Sequence, residues 1–286
     1  MKESHRQGDF FMNMEDVQAF AAYLQTAEAS GATVEKYRRE AARFCVWLSG
    51  REVSRELASA YKTAVAGERS AAGINGAVAA LNALFAFLDR GECRLKSVRV
   101  QRPAFRDESR ELTEGEYRRL LAAARGRKNE RLLLVMETVC ATGIRVSELR
   151  FFTVEAARAG RVEVTNKGKA RTVFLPARLQ KVLLRYARGR GIAAGIIFVT
   201  RSGRPLDRSN IWRSMKGLCR EARVAENKVF PHNLRHLFAR TYYALEKDIV
   251  RLADILGHAS VNTTRIYTAE SGRTHRRQLE KMRLVL

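Results

Sequence analysis

The segment from Pro231 to Tyr267 concentrates the side chains that are best suited to chemistry on an anion. Proline fixes a helical φ and lacks only a donor that the first turn leaves unpaired, so Pro231 predicts the start of a helix. His232 and Arg235 follow three residues apart, a spacing that places both on one helical face. An imidazole and a guanidinium are therefore predicted to point in the same direction.

A second helix is predicted from Ile249 to Leu256, where apolar residues recur at three- and four-residue spacing. Gly257 is a natural end for it, so His258 is expected just past a helix terminus. Tyr267 follows nine residues later, in a segment that could return its hydroxyl to the same place. Two imidazoles, a guanidinium and a phenol in one compact segment indicate chemistry on an anion more than they indicate a core.

The charge distribution predicts a polyanionic partner such as DNA, with a ribosomal partner as a simpler alternative. The chain has 286 residues and a formal net charge of +23. Residues 1–100 hold 14 Lys+Arg against 12 Asp+Glu, whereas residues 101–286 hold 39 against 18. A domain with this excess attracts polyanions, and counterion release from DNA would supply salt-dependent affinity. The basic residues are not gathered in one amphipathic helix, which argues against a membrane-surface protein.

Length and composition narrow the class further. A chain of 286 residues exceeds the usual size of one domain, which favours two. No apolar run could cross a bilayer and the N-terminus has no signal-peptide core, so a soluble, cytoplasmic protein is expected. The four cysteines are widely separated, and no phosphate-binding glycine loop is present. No metal, nucleotide or other cofactor is expected.

Hydrophobic periodicity predicts a two-domain, mainly α protein. Residues 12–92 are expected to form a small all-α domain of four helices, the last of them buried. Residues 93–110, where the periodicity fades around Pro103, are predicted to be a linker. Residues 111–286 are predicted to form an α+β domain, with helices around a small antiparallel sheet.

Local signals place the elements of the second domain. Thr113 and Glu116 have the spacing of a capping box at the start of a helix. Alternating valines flank the segment from Asn166 to Lys169, which indicates a hairpin with a glycine-containing turn. A third short strand is predicted over 196–200. The tail over 273–286 has apolar residues at helical spacing and is expected to dock on its own domain or on a neighbour.

Four separated motifs resemble those of tyrosine recombinases of the Xer and phage-integrase type. The motifs, in the family's order, are Ala141-Thr142-Gly143-Ile144-Arg145-Val146-Ser147-Glu148-Leu149, Asn166-Lys167-Gly168-Lys169, His232-Asn233-Leu234-Arg235-His236, and Leu256-Gly257-His258 with Thr263-Thr264-Arg265-Ile266-Tyr267. The N-terminal domain loosely resembles the family's core-binding domain. We expect the simple form of these enzymes, which has no arm-binding domain.

The resemblance implies a site-specific recombinase that cuts and rejoins DNA through a 3′-phosphotyrosine. The implied catalytic set consists of Arg145 and Arg235 on the scissile phosphate, His232 and His258 assisting, Lys167 on the leaving group, and Tyr267 as nucleophile. Guanidinium forks suit the non-bridging oxygens, on which negative charge builds up. A phenol with an ordinary pKa of about 10 needs a base or a positive field to attack, and a lysine can protonate the departing oxygen.

Simpler interpretations remain for the arginine and histidine motifs. Arg145 and Glu148 could be only a surface helix pair. His232 and His236 could bind a metal, but a metalloprotease helix needs Glu where Asn233 stands, and no third ligand is apparent. His236 by itself is better explained as a structural, hydrogen-bonded histidine.

The remaining candidates have rivals as well. His258 could serve only to cap a helix C-terminus. Tyr242 and Tyr243 compete with Tyr267 as tyrosines of the same region. On the hairpin, Lys169 is an alternative to Lys167, although the lysine directly before the glycine fits the family pattern better.

Three other functions compete with recombination. A type IB topoisomerase would use the same chemistry without paired sites, and a DNA-binding protein could keep the fold without cleaving. A metal-dependent nuclease would need a triad of carboxylates, and the sequence shows none. Exchange between two duplexes needs four active sites, so the resemblance implies a homo-tetramer on DNA that is linked through the tail over 273–286. The task, integration and excision of a mobile element or resolution of replicon dimers, is left open.

Overall fold

The computed structural model describes residues 10–99, 107–166, 169–200, 202–268 and 272–282. Within these ranges the protein is mainly helical with one two-stranded antiparallel sheet, which confirms the predicted fold class. The helices are α1 Met14–Thr26, α2 Gly31–Leu48, α3 Arg55–Glu68, α4 Ala71–Phe87, α5 Glu114–Gly126, α6 Glu130–Thr142, α7 Val154–Ala159, α8 Ala177–Gly189, α9 Arg208–Lys216, α10 Cys219–Ala222, α11 Pro231–Glu246, α12 Ile249–Leu256, α13 Val261–Thr264 and α14 Gly272–Met282. The strands are β1 Arg161–Asn166 and β2 Lys169–Phe174.

The chain divides into two compact units, Met1–Arg102 and Pro103–Leu286. This division falls inside the 93–110 segment that the sequence marks as a linker. The first residues of that segment belong to the first unit, because two asparagine side chains of α4 hold its backbone. The amide of Asn82 bonds both backbone groups of Leu95, at 2.8 and 2.9 Å, and Asn75 bonds Val98 in the same way.

The first unit packs α1 to α4 around one hydrophobic core. Its helices start at capping side chains such as Asn13 and Ser54, which accept hydrogen bonds from the first-turn backbone. A buried carboxylate joins the helices: Glu40 accepts from the Tyr61 hydroxyl at 2.8 Å and from Arg69 at 2.9 Å. Burial together with Glu40 raises the pKa of Tyr61. The network fixes α2 against α3 and the loop that follows it.

The second unit surrounds its core with α5 to α11 and the hairpin. The capping box at Thr113 and Glu116 is present at the start of α5, as predicted. Helix α11 starts with Pro231 in its first turn and packs along α6. Helix α12 ends at Gly257, whose φ of +65° is left-handed, so the predicted glycine stop is confirmed.

The hairpin pairs β1 with β2 in antiparallel register, with Val162 opposite Val173. Side chains alternate between faces, and the face that carries these two valines is buried. The prediction of a third strand over 196–200 is wrong. Ile196 and Val199 make only isolated bridges to Thr153 and Pro205, so this segment joins the core without extending the sheet.

The last described helix, α14, exposes the apolar side chains of Leu279 and Met282. These are two of the three residues of the stripe predicted for the tail, and the third, Val285, lies outside the described residues. In the part of the chain that the structure describes, no helix has the length and apolar character needed to cross a bilayer.

Candidate active site

Five of the six predicted catalytic residues lie at the meeting point of helix ends in the second unit. Arg145 precedes a 3₁₀ turn over Val146–Phe151 that follows α6, and His232 and Arg235 lie on the first turns of α11. These three side chains line one cleft of about 500 Å³, together with Arg208. A cleft walled by basic side chains is suited to a phosphate group.

Arg235 is buried, with 1% of its surface exposed, and it is held by carbonyl groups at two helix C-termini. Its Nη1 donates to the Gly143 carbonyl at 2.6 Å and its Nη2 to the Leu256 carbonyl at 2.7 Å. Carbonyls at helix ends carry partial negative charge, so they stabilise the cation without a carboxylate. Burial, with the nearby charge of Arg145, lowers the pKa of Arg235 to about 10, which leaves it protonated at neutral pH.

Gly143 allows α6 to end where its carbonyl can reach Arg235. Its φ of +66° is left-handed, and a Cβ at this position would lie 2.3 Å from Cδ1 of Phe238. Only glycine satisfies both the turn and the close approach of α11. The glycine of the first motif therefore has a structural role: it places the Gly143 carbonyl where it accepts a hydrogen bond from Arg235.

His258 is oriented by two hydrogen bonds that determine its tautomer. Its Nε2 lies 3.0 Å from Nη2 of Arg235, and its Nδ1 lies 2.8 Å from the Thr264 hydroxyl. Because a guanidinium only donates, Nε2 must accept and the proton must be on Nδ1. Burial and the charge of Arg235 lower the pKa of His258 to about 4, in agreement with a neutral ring.

Tyr267 lies in a 3₁₀ turn over Arg265–Tyr267 and is buried, with 4% of its surface exposed. Its ring stacks on His258, with centroids 6.1 Å apart, and meets the ring of His236 edge-on at 5.0 Å. Burial raises the pKa of Tyr267 and outweighs the opposing charges of Arg235 and Arg145. The positive field alone therefore does not ionise this phenol.

His232 faces the cleft as a neutral imidazole. Loss of hydration between the cleft walls, together with the charges of Arg235 and Arg208, lowers its pKa. A neutral ring can accept a proton. Its edge contacts His236, whose ring centroid lies 4.5 Å away.

His236 packs between two rings of the site and lacks one hydrogen bond that the sequence predicts for it. Its Nε2 is buried and has no hydrogen-bond partner among the described residues, so the expected hydrogen bond is missing at that atom. Burial, followed by the charge of His232, lowers the pKa of His236 to about 3. Its ring instead fills the space between His232 and Tyr267.

Arg145 and Glu148 are not a surface pair. Glu148 is 2% exposed and accepts from the Arg145 backbone at 2.8 Å and from its Nη1 at 3.0 Å. Arg171 donates both Nη atoms to the same carboxylate, at 2.7 and 3.0 Å. Burial would raise the pKa of Glu148, but the hydrogen bonds from Arg171 and Arg145 outweigh it and lower the pKa.

Lys167, the lysine predicted on the hairpin, is the sixth predicted catalytic residue. Lys167 lies outside the described residues, between β1 and β2. Its alternative, Lys169, begins β2.

Sequence reasoning missed Arg171 and Thr264. Arg171 alternates with Val173 and Leu175, which are buried, so strand periodicity could have placed it on the inner face. Thr264 is fully buried and bonds His258, but a threonine six residues after a histidine carries no sequence signal.

His232 and His236 are neighbours on α11. Their rings touch edge to face, and no group of three or more potential metal ligands occurs in the described ranges. The rival tyrosines, Tyr242 and Tyr243, are half-buried and pack against the small apolar cluster that contains Tyr267.

The chain is similar to known proteins over nearly its whole length. Residues 110–273 match the phage integrase family. Tyrosine recombinase XerC of Roseiflexus castenholzii is 30% identical over 279 residues, which cover 89% of this chain and 88% of the relative. Tyrosine recombinase XerA of Pyrococcus furiosus is 29% identical over 287 residues, 96% of either chain. In fold, the chain resembles a lambda integrase in a tetramer bound to a Holliday junction, with a TM-score of 0.71, 19% identity, and coverage of 91% of this chain and 78% of that one.

The chain belongs to the phage integrase family. The predicted family and the predicted enzyme class, a site-specific tyrosine recombinase, are confirmed. The roles of the individual side chains follow from the geometry as proposals.

Proposed function

We propose that this recombinase cuts and rejoins double-stranded DNA at paired core sites through a 3′-phosphotyrosine on Tyr267. One observation carries the proposal: Arg145, His232 and Arg235 line one cleft, while His258 contacts the same Arg235 and stacks on Tyr267. This arrangement joins a phosphate site to a nucleophile with protein groups alone.

The arginines stabilise the charge that develops during attack. Guanidinium groups hold non-bridging oxygens in fixed geometry and are most effective in a water-poor site. Three of the five N–H donors of Arg235 are engaged by carbonyls and His258, so its orientation is set before DNA arrives. His258 assists by fixing Arg235, because its Nε2 must accept from the guanidinium.

The proton of Tyr267 needs an acceptor, since burial raises the pKa of the phenol. Neutral His232, on the cleft, is the proposed base. The Tyr267 oxygen then bonds to phosphorus, the bond from phosphorus to the 5′ oxygen breaks, and that oxygen takes a proton from Lys167. In the second half of the reaction a 5′-hydroxyl of the partner duplex attacks the phosphotyrosine and gives its proton to the neutral Lys167. The bond from phosphorus to the Tyr267 oxygen breaks, and that oxygen takes its proton back from His232.

Attack requires that Tyr267 be uncovered. The nucleophile lies on a short connection made of α13 and the 3₁₀ turn over Arg265–Tyr267, in which Ile266 is 49% exposed. Such short pieces are held by few backbone hydrogen bonds. DNA is proposed to draw this connection towards the cleft.

The remaining parts of the chain are assigned from the resemblance and the charge. Residues 12–92 are proposed to bind core DNA, with 93–110 as the connection to the catalytic domain over 111–286. The basic excess of residues 101–286 supports binding to the DNA backbone. A homo-tetramer on DNA is proposed by analogy with the lambda integrase tetramer on a Holliday junction. Exchange of the tails over 273–286 between protomers, and action in the cytoplasm, are proposed from the sequence.

The test is covalent capture in the presence of EDTA. Nicked suicide duplexes that tile the DNA on both sides of the gene are incubated with wild type, Tyr267→Phe and Tyr243→Phe, and adducts are separated on a denaturing gel. Wild type and Tyr243→Phe should form the adduct, and Tyr267→Phe should not. If the adduct still forms with Tyr267→Phe, Tyr267 is not the nucleophile. If the protein binds DNA but forms no adduct, a non-cleaving DNA-binding protein is favoured.

The products distinguish recombination from relaxation. A plasmid with two copies of the captured duplex should yield recombinants, and a plasmid with one copy should not be relaxed. Equal relaxation of plasmids with and without the duplex would instead indicate a type IB topoisomerase.

A further inference from the structure

Arg171 is a part-buried cation to which the proposed reaction assigns no step. It lies on β2, on the inner face that also carries Val173, and 13% of its side chain is exposed. An arginine on the apolar face of a strand loses hydration, so it is stable there only if its donors are satisfied.

The donors of Arg171 reach two separate parts of the candidate active site. Its Nη atoms grip the carboxylate of Glu148 in bidentate fashion, at 2.7 and 3.0 Å. Its Nε donates to the Ile255 carbonyl at 3.2 Å, in the last turn of α12. Its stem packs on Gly257, where an added Cβ would lie 2.9 Å from Cδ of Arg171.

Each contact leads to one of the phosphate-binding arginines. Glu148 holds both the backbone and the guanidinium of Arg145. The end of α12 supplies Leu256, whose carbonyl accepts from Arg235, and it is followed by His258, which accepts from the same group. One side chain on the sheet therefore joins the supports of both arginines.

We infer that Arg171 is a positioning residue that keeps Arg145 and Arg235 aligned on the scissile phosphate without touching DNA itself. The inference rests on the proposed function of those two arginines. Three of the five N–H donors of Arg171 are engaged by protein oxygens, and its side chain is not among those that line the cleft, so the geometry favours an indirect role.

The physical reason lies in how Glu148 is shared. Its Oε1 accepts from Nη1 of Arg145 and from Nη1 of Arg171, both at 3.0 Å. Without Arg171, a buried carboxylate would keep Arg145 as its sole guanidinium partner in the described structure and would draw it away from the cleft. Removing one partner of a buried pair leaves a charge that must find another partner, whereas removing both charges does not.

The test compares Arg171→Met, Arg171→Lys and Arg161→Met, the last a matched loss of charge at an exposed position of β1. The full-length variants are mixed in excess with the captured suicide duplex, and the rate of adduct formation, DNA affinity and melting temperature are measured separately. Arg171→Met should cleave about 100-fold more slowly at unchanged DNA affinity, the loss typical of a small misplacement of catalytic groups. Arg171→Lys should recover part of the rate, and Arg161→Met should match wild type.

A second comparison isolates the role of Glu148. Adding Glu148→Gln to Arg171→Met should raise the cleavage rate above that of Arg171→Met alone, because the uncompensated carboxylate is gone. A further loss of rate would overturn the inference.

A neutral substrate provides a readout that a purely structural role would not change. Replacing one non-bridging oxygen of the scissile phosphate by methyl removes charge that Arg145 and Arg235 neutralise. The defects of Arg171→Met and of Arg145→Met should therefore both shrink on the methylphosphonate duplex. Equal defects of Arg171→Met on both substrates would contradict a positioning role.

The outcomes separate this inference from the proposed function. If wild type forms no adduct on any duplex, both fail. If wild type cleaves and Arg171→Met cleaves equally fast, the inference alone fails. If Arg171→Met does not fold, Arg171→Lys decides: a slower rate at unchanged melting temperature supports positioning, and an unchanged rate refutes it.

Discussion

Replacing Gly143 by alanine tests the packing that places the Gly143 carbonyl against Arg235. The new Cβ would meet two atoms of the Phe238 ring, at 2.3 and 2.5 Å. Carbon atoms in contact are normally about 3.5–4.0 Å apart, so the ring must move by more than about 1 Å. Phe238 packs against the cluster of Tyr267, and the Gly143 carbonyl accepts from Arg235, so this movement reaches the active site.

Two terms set the size of the effect. The left-handed φ of +66° costs a residue with a Cβ about 1–2 kcal/mol, partly offset by about 0.4–1 kcal/mol from the stiffer unfolded chain. Overpacking against Phe238 adds about 1–3 kcal/mol. Gly143→Ala should therefore lower the free energy of unfolding by about 2–4 kcal/mol.

Gly191→Ala is the matched control. Gly191 has a similar φ of +69°, but no atom lies within 4 Å of an added Cβ. Urea unfolding at neutral pH should show a loss of about 1 kcal/mol or less for Gly191→Ala, since only the backbone term applies. Cleavage by Gly191→Ala should equal that of wild type, whereas Gly143→Ala should cleave more slowly.

The comparison can refute the reasoning in two ways. Equal destabilisation by both alanines would show that contact with Phe238 has no energetic consequence. Adding Phe238→Leu to Gly143→Ala should recover part of the stability, because the smaller side chain vacates the overlapping volume. If the double variant is less stable than Gly143→Ala alone, the loss does not come from this overlap.

Three further predictions concern the histidines and the first unit. The pKa of His258 is lowered to about 4 and that of His236 to about 3. Both histidines therefore contribute stability that is fully present above pH of about 6.5 and is lost as the pH falls through these values. The urea concentration at the unfolding midpoint should fall from pH 7 to pH 4, and it should fall less steeply in His258→Gln. Thr264→Val should slow cleavage about tenfold while Thr264→Ser should not, since only valine removes the acceptor that fixes the tautomer of His258; equal rates in a single-turnover assay would contradict this. Glu40→Gln should destabilise the first unit by about 1–3 kcal/mol in thermal unfolding, because Arg69 and Tyr61 lose a charged partner, and unchanged unfolding would contradict a structural role for this network.

Signals that are local in sequence predicted much of the fold and the candidate site. Pro231 and Gly257 mark the ends of α11 and α12 through their own backbone preferences, which need no tertiary information. The three-residue spacing from His232 to Arg235 is likewise a property of any helix. The resemblance then gave the order of the motifs, which the match over residues 110–273 confirms at the level of the family.

Properties that depend on distant partners were not predictable in this way. Glu148 resembles one end of a surface pair until Arg171, 23 residues away, is placed opposite it. Burial by neighbours from α11 and α12 raises the pKa of Tyr267, and this burial outweighs the positive field that the sequence suggested. The prediction of a third strand was wrong for a similar reason. Ile196 and Val199 each form a single bridge to a distant residue, whereas a strand needs a continuous ladder of hydrogen bonds.

The hydrogen-bond partners of Arg235 and Arg145 explain why the site is built from a sheet and from helix ends. Arg235 has no carboxylate partner among the described residues and is stabilised by the carbonyls of Gly143 and Leu256, so its full charge is available to a phosphate. Arg145 does have a carboxylate partner, Glu148, which would neutralise it if the pair were exclusive. Arg171 makes the pair non-exclusive, because it also donates to both oxygens of Glu148. Helix termini and a shared carboxylate thus orient two cations while cancelling little of their charge, which is the condition for binding a phosphate more strongly as its charge grows in the transition state.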